Sequence, residues 1–270
     1  MVAATMDFGV QGLNIGGTAG PDETRRLAQL AESLGYRSWW ASDHVVLPSP
    51  RVDPSPSEPD TVFVDPLTHL SYVAAVTSSL ELATGIVILP QRNPLVLAKQ
   101  VASLDLLSGG RFTLGVGAGY LEPEMTAVGA PFADRGAVTD EYLDAMDQLW
   151  HAEAPSFSGR FVSFSGIDAR PRPSNVRVVV GGHSLAAFRR AVTRAQGWFG
   201  IGTPEDIRGH LARFPERPSG FRISVSALVP LSAAVIREYE DLGVDELVVH
   251  PAAFDGTVDE VLRRNAEFTG

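Results

Sequence analysis

Cysteine is absent from the 270 residues, which removes disulfides, iron–sulfur centres and thiol catalysis. Basic charge is also scarce. Lys plus Arg total 22 against 32 Asp plus Glu, for a formal charge of −10. With no Arg/Lys block, that balance argues against a polyanion-binding surface, so no nucleic-acid partner is expected. A local positive pocket for one phosphate stays open. No apolar run reaches the roughly 18 residues that suggest a membrane span. The opening Met1-Val2-Ala3-Ala4-Thr5 has neither a basic nor a long apolar stretch. No secretory leader is therefore expected, and a cytoplasmic location is the default expectation. None of the six histidines pairs with another at HExxH spacing, so no specific zinc motif exists and no metal is assigned.

The chain does contain a repeating unit. An apolar run, Leu82 to Leu89, is followed by a turn at Pro90–Pro94 and a helical pattern from Leu95 to Leu107. After Ser108-Gly109-Gly110 comes a second apolar run, Phe112 to Val116. Strand, helix and strand at this spacing read as one parallel crossover. The strands lack polar alternation, so both their faces are expected to be covered.

Similar units occupy the remainder. The predicted strands are Phe8–Val10, Ser38–Ala41, Leu82–Leu89, Phe112–Val116, Arg177–Val180, Gly197–Gly200, Phe221–Val229 and Glu246–His250. Asp65-Pro66, Thr203-Pro204-Glu205 and Thr257 with Glu260 carry helix-start chemistry. Eight strands, each with a following helix and no interrupting linker, favour a closed barrel over an open doubly wound sheet. Val45 to Val64 carries prolines at 48, 50, 54, 56 and 59 and is expected to be a functional loop. Residues 154–175, polar with interspersed Phe157, Phe161 and Phe164, suggest a flap.

A barrel builds its site where strands hand over to the following helices. That rule selects Gln11, Asp43, His44, Gly117 to Tyr120, Gly181 to Ser184 and His250. Asp43-His44 is either a proton-handling pair or a turn aspartate beside a partly buried histidine. Neighbours on a strand point to opposite faces, so a direct Asp43–His44 bond is not assumed. His69 lies within a helix and is expected to pack. Gly181-Gly182-His183-Ser184 precedes a helix and suits either a phosphate or an ordinary cap. Gly115-Val116-Gly117-Ala118-Gly119 is a weak dinucleotide pattern, because Pro123 intervenes; its glycines suit close backbone approach to a flat ring. Trp39, Trp40, Tyr120 and Trp198 are candidates for a ring pocket or for core. Paired acids at Asp43 and Glu122, or a metal shared by Asp43, His44 and His250, are weaker alternatives. Arg111 is expected to form an ion pair with Asp105, and Arg135 to support the Glu122/Glu124 loop.

Several longer stretches carry a family likeness. They are Ala41-Ser42-Asp43-His44-Val45-Val46-Leu47-Pro48, Asn93 to Gln100, Ser103 to Gly119, Gly129 to Gly136 and Val180 to Ser184. On these residues the chain resembles the luciferase-like flavin and deazaflavin oxidoreductases, across nearly its whole length. The resemblance implies an α/β architecture over residues 1–270: a (β/α)8 TIM barrel forming one domain, with a shortened insertion before strand seven, roughly Leu211 to Gly220. It implies F420 as cofactor, or alternatively FMN with oxygen, a small organic substrate and a homodimer. By the same resemblance His44 is the active-site histidine and Asp43 its orienting neighbour. Gly85-Ile86 is the place of a non-prolyl cis peptide against the ring. Asn93, Gly117, Gly119, Gly181, Gly182 and Ser184 are expected on the cofactor. Gln11, Trp40, Tyr120, Trp198 and His250 are assigned to the substrate pocket.

Tyr120 departs from the pattern. The deazaflavin sugar-phosphate dehydrogenases of this family place a general-acid glutamate there, and the nearest acids here are Glu122 and Glu124. That weighs against sugar-phosphate oxidation. The remaining alternative is a cofactor-free interaction or structural barrel.

Overall fold

The computed structural model describes residues 6–174, 176–214 and 216–269. Eleven strands and nine α-helices alternate along them. β1 is Asp7–Gln11, β2 Ser38–Ala41, β3 Glu81–Thr84, β4 Val87–Ile88, β5 Phe112–Gly117, β6 Phe157–Ser158, β7 Ser163–Phe164, β8 Arg177–Gly181, β9 Gly197–Gly202, β10 Arg222–Ala227 and β11 Glu246–Val249. The helices are α1 Pro21–Ser33, α2 Pro66–Val76, α3 Pro94–Ser108, α4 Glu122–Ala127, α5 Arg135–His151, α6 Leu185–Arg194, α7 Pro204–Leu211, α8 Ala233–Asp241 and α9 Val258–Asn265.

The main sheet runs β3-β2-β1-β11-β10-β9-β8-β5-β4, and β3 also pairs with β5. That last pairing, Leu82 with Phe112 and Ala83 with Thr113, closes the sheet. Every ladder in it is parallel. β3 and β4 are two pieces of one barrel position, so the expected closed (β/α)8 barrel is what the chain forms.

The run from Leu82 to Leu89 is thus not one strand. It breaks at a cis Gly85–Ile86 peptide. Thr84 bridges the break. Its hydroxyl donates to the Gly115 carbonyl (2.7 Å) and accepts from the Gly115 N–H (2.8 Å), replacing backbone pairing at that point.

The helix starts follow the local chemistry of the sequence. Asp65 accepts from Thr68 N ahead of α2, and Asn93 from Leu95 N and Val96 N ahead of α3. Thr203 with Asp206, and Thr257 with Glu260, close reciprocal capping boxes. Each such cap stabilises its helix by about 1 kcal/mol. α3 stops at Gly109, whose φ of 71° suits glycine.

Apolar packing forms two layers. The larger lies between sheet and helices and includes Val10, Trp39, Leu82, Leu114, Val180, Trp198 and Leu247. The smaller fills the barrel: Trp40, Ala83, Val179, Phe199 and Val248, with Ile86 against it. Below that plug, Glu246 accepts from Ser38 and from Ser224 (2.6 Å). Arg222 there reaches Asp7 at 2.6 Å. The lumen is therefore packed at its N-terminal end and middle, leaving the C-terminal mouth as the open face.

Three further expectations resolve here. His69 packs: it is 3% exposed and accepts from Trp39 Nε1 at 3.1 Å. Residues 154–175 include a two-stranded hairpin, β6 with β7, Phe157 stacked on Phe164. Arg111 does not pair with Asp105. It donates to the carbonyls of Ser108, Leu80, Ala74 and Thr77, while Asp105 accepts from Ser174. The C-terminal ends of α2 and α3 leave carbonyls without intrahelical partners here, and these acceptors together take up the several donors of one guanidinium. Among the described residues no helix is long and apolar enough to cross a membrane.

Candidate active site

His44 stands just beyond β2, and buried polar groups hold it there. Asn14, fully buried, accepts from Ser42 N (3.0 Å) and donates to the Ser42 and Val64 carbonyls (2.8 Å each). One side chain thus fastens both ends of the proline-rich loop to the barrel rim. Phe63, at the loop's end, bridges to Ile15 and meets the His44 ring edge-on at 5.4 Å.

Asp43 points away from His44, which corrects its assignment as catalytic orienting neighbour. Its carboxylate accepts from Ile88 N (3.0 Å) and Arg92 Nη2 (2.8 Å). Arg92 also reaches Asp65 at 2.9 Å. Burial pushes the Asp43 carboxyl up, while Arg92 pulls it back down. Asp43 therefore anchors the segment after the cis peptide and positions Arg92. The alternatives built on Asp43 are not supported either: its carboxylate is buried and committed to Ile88 N and Arg92 while Glu122 is exposed, and among the described residues no His, Asp and Glu group is arranged to hold a metal ion.

The partner of His44 is Glu124, from the short α4. Its carboxylate sits 2.9 Å from His44 Nδ1 and accepts from Val45 N at 2.6 Å. Glu124 is 1% exposed. An ionised carboxylate only accepts, so the facing Nδ1 donates and Nε2 is left as the acceptor. Tyr120 Oη lies 3.5 Å from Nε2, at the outer limit of hydrogen bonding, and the Tyr120 ring meets His44 edge-on. Burial, then Glu124, pushes the Tyr120 phenol up. The result is a carboxylate–imidazole pair whose basic nitrogen is next to a neutral, half-exposed phenol. Arg135 ties down the segment leading into α4 through backbone rather than through the acids: it donates to the Gly119 and Phe132 carbonyls.

The ledge beside this pair is Gly85-Ile86, both partly exposed at the mouth. A Cβ on Gly117 would stand 2.4 Å from Ile86 Cδ1, and one on Gly181 would stand 2.9 Å from Ile86 Cγ2. These glycines make room for the Ile86 side chain, a closer cause than direct approach to a cofactor. Gly119 turns with φ 81° beside Ile88 and Met125. Gly182, with φ 110°, accepts from Trp198 Nε1 through its carbonyl. Ser184 caps α6 through Ala187 N (3.1 Å). Asn93 is exposed, with its side-chain oxygen committed to the α3 cap.

Two tryptophan assignments change. Trp40 is buried in the lumen, stacked on Phe199 at 4.6 Å, and forms the floor rather than the wall of the mouth. Trp198 is fully buried on the outer side, against Phe188, His210 and Phe214. Strand alternation explains this: Phe199, not Trp198, faces inward from β9. Gln11 and His250 do end at the mouth. Gln11 Oε1, His250 Nδ1 and Ser226 Oγ are buried there without hydrogen-bond partners.

A family model described as luciferase-like monooxygenase matches residues 2–249. The chain belongs to the luciferase-like monooxygenase family. Membership makes this luciferase-like barrel an oxidoreductase. An uncharacterised protein of Mycobacterium tuberculosis is 36% identical over 191 residues, 67% of each chain. The coenzyme F420-dependent tetrahydromethanopterin reductase of Methanopyrus kandleri superposes with TM-score 0.78 over 98% of both chains, at 15% identity. A Pseudomonas putida 3,6-diketocamphane monooxygenase component, in complex with FMN, matches with TM-score 0.68, 82% of this chain and 67% of that one, at 19% identity. At such identities the likeness is one of fold. Of these two structural neighbours, the first is named for its dependence on F420 and the second holds FMN.

Proposed function

We propose that this luciferase-like barrel is an F420-dependent oxidoreductase in which His44 handles the substrate proton. The observation that carries the reading is the Glu124–His44 pair, with Nε2 turned to the mouth as a base, 3.5 Å from the Tyr120 hydroxyl. The mouth also suits a flat ring. It has a partly exposed Gly85-Ile86 ledge with glycines behind it. Residues that would hold the cofactor are Gly85 and Ile86 at its ring and Gly182, His183 and the start of α6 at its charged tail, where backbone N–H groups favour an anion. When bound, the deazaflavin supplies hydride exchange with a substrate carbon.

The protein's own work is then proton transfer and exclusion of water. If the substrate is oxidised, its hydroxyl proton passes to His44 Nε2; in reduction the same nitrogen returns it. Glu124 stabilises the imidazolium through Nδ1–H. Phe63 and the Val45 to Val64 loop shield the ring from water.

Parallel titration of the protein with F420, FMN and NADPH tests this reading. F420 is expected to bind most tightly. His44→Ala should keep that affinity while slowing substrate-dependent hydride transfer about 10²- to 10⁴-fold. Tighter binding of FMN, with oxygen consumption when reduced, would replace the reading with a monooxygenase. Binding of none would return the scaffold alternative.

A further inference from the structure

The mouth has two unlike halves. β4, β5 and β8 neighbour one another and bring the Ile86 ledge and its glycines. β2, β1, β11 and β10 also run consecutively, and they end in His44, Gln11, His250 and Ser226. The first half is the one assigned above to the cofactor. The second, with His44, is the half expected to meet the substrate, and the class of substrate it would take has not been assigned.

The inward orientation of these groups follows from strand parity. A Cβ on Gly9 would meet Ser38 and Glu246 inside the barrel, so Gln11, two residues on, also faces inward. Ser224 bonds Glu246 within the lumen, which places Ser226 on the same face. Glu246 itself sets the parity of Val248 and His250 on β11. In the layer near the barrel bottom, Ser38, Ser224 and Glu246 satisfy one another. In the mouth layer, Gln11 Oε1, Ser226 Oγ and His250 Nδ1 have no partner. Gln11 is 6% and Ser226 1% exposed. Burying such groups unpaired costs free energy, and that cost is recovered when a ligand completes them.

The geometry points to a substrate subsite on this half that reads an uncharged oxygen function, a hydroxyl or carbonyl carried on an apolar skeleton. This deepens, and rests on, the oxidoreductase reading, because it sets the reacting oxygen on the His44 side. The chemistry of the trio decides the class. An amide, a hydroxyl and an imidazole offer donors and acceptors without fixed charge, and no lysine or arginine follows within three residues of these strand ends. Burial pushes the His250 pKa down and so favours its neutral ring, against a smaller opposing pull from its own backbone. A carboxylate or phosphate here would lose water without gaining a countercharge. The rim beyond is apolar: Val45, Val46 and Leu228 are all exposed. His250 keeps part of its surface open, giving a ligand its way in.

The test is ligand binding, measured by calorimetry on the protein with and without F420. The probes share one skeleton: cyclohexanol, cyclohexanone, cyclohexanecarboxylate and cyclohexyl phosphate. The neutral pair should bind at least about tenfold more tightly than either anion. Ser226→Ala and Gln11→Leu should each weaken the neutral probes about five- to tenfold, without lowering the thermal midpoint, because neither group has a partner to lose. Anions bound as well as neutral probes, no neutral binding, or variant affinities within about twofold of the parent would overturn the subsite. A variant that loses thermal stability along with affinity would mark a structural role and also overturn it. Failure of F420 to bind refutes the cofactor reading alone, since probe selectivity is still read on the cofactor-free protein.

Discussion

Glu124→Gln separates a working base from a merely buried pair. The carboxylate accepts two hydrogen bonds at once, from His44 Nδ1 at 2.9 Å and Val45 N at 2.6 Å. A carboxamide of the same shape has one acceptor atom and one donor group, so it satisfies one partner and confronts the other. If its oxygen stays on Val45, the NH2 faces His44 Nδ1. The ring can answer by moving its proton to Nε2. If the oxygen turns to His44, the Val45 N–H loses its acceptor and faces the NH2 group instead. The backbone has no second tautomer and the imidazole does, so the first arrangement is expected. Nε2 then presents a donor to the mouth where a base stood. Loss of a positioned base costs about 10²- to 10⁴-fold in rate, or roughly 3–5 kcal/mol of barrier. Inverting the histidine tautomer in the serine-protease triad costs about 10⁴. Two measurements check this without confusing binding with chemistry. Cofactor affinity should stay close to the parent's while kcat falls. Nitrogen-15 NMR of the histidine ring should show the proton on Nδ1 in the parent and on Nε2 in the variant. A variant with an unchanged tautomer and an unchanged kcat would refute the assignment of Glu124 and, with it, of His44 as the base.

Two stability predictions follow from packing. Burial holds His69 down to about 4, from an ordinary 6.5. Above pH 6.5 neither state carries the charge; between 6.5 and about 4 the unfolded chain takes up a proton the folded one refuses. Stability should therefore fall as pH drops through that window, by about 3 kcal/mol in all, and level off below it. His69→Gln, although less stable at pH 7, should show a flatter slope there by urea unfolding; an unchanged slope would refute the cause. Gly115→Ala and Gly117→Ala should differ sharply. The first puts a Cβ 1.9 Å from the Thr84 carbonyl oxygen, which is backbone, and the second 2.4 Å from the Ile86 Cδ1 methyl, which can rotate. Thermal unfolding should find the Gly117 variant about 1–3 kcal/mol down and the Gly115 variant worse or unfolded, and the reverse order would contradict the packing.

Much of this barrel was legible locally. Ser38–Ala41 is the strand its composition suggested, and Asp65, Thr203 and Thr257 cap helices where their side chains predict. Such features depend on contacts within three residues, which a sequence displays directly. Features that depend on which face of a strand points inward were harder. Trp198 and Phe199 are adjacent aromatics on a short strand rich in glycine, and nothing local says which one faces the lumen. A one-residue change of parity exchanges them. Arg111 was misread for a related reason. A carboxylate is visible in sequence as a partner, while a cluster of unpaired carbonyls exists only once three segments meet.

The site itself shows the same division. Alternation along β2 already implied that Asp43 and His44 do not face each other. It did not supply their true partners, because Glu124 lies 80 residues from His44 and Arg92 lies 49 from Asp43. The acids at 122 and 124 differ in function through helix geometry alone. Two residues apart on a helix are about 200° apart around its axis, so only one can face the barrel. Glu124 does, and is buried; Glu122 is exposed. The tyrosine standing where sugar-phosphate dehydrogenases of the family keep an acid then has a physical reading. The carboxylate has not been lost from the mouth. It sits behind His44, where on the proposed reading it supports the base and leaves the facing position to an uncharged phenol. Together with the neutral Gln11, His250 and Ser226 trio, that shift moves fixed charge out of the substrate's half of the mouth, which is the condition a neutral apolar substrate requires.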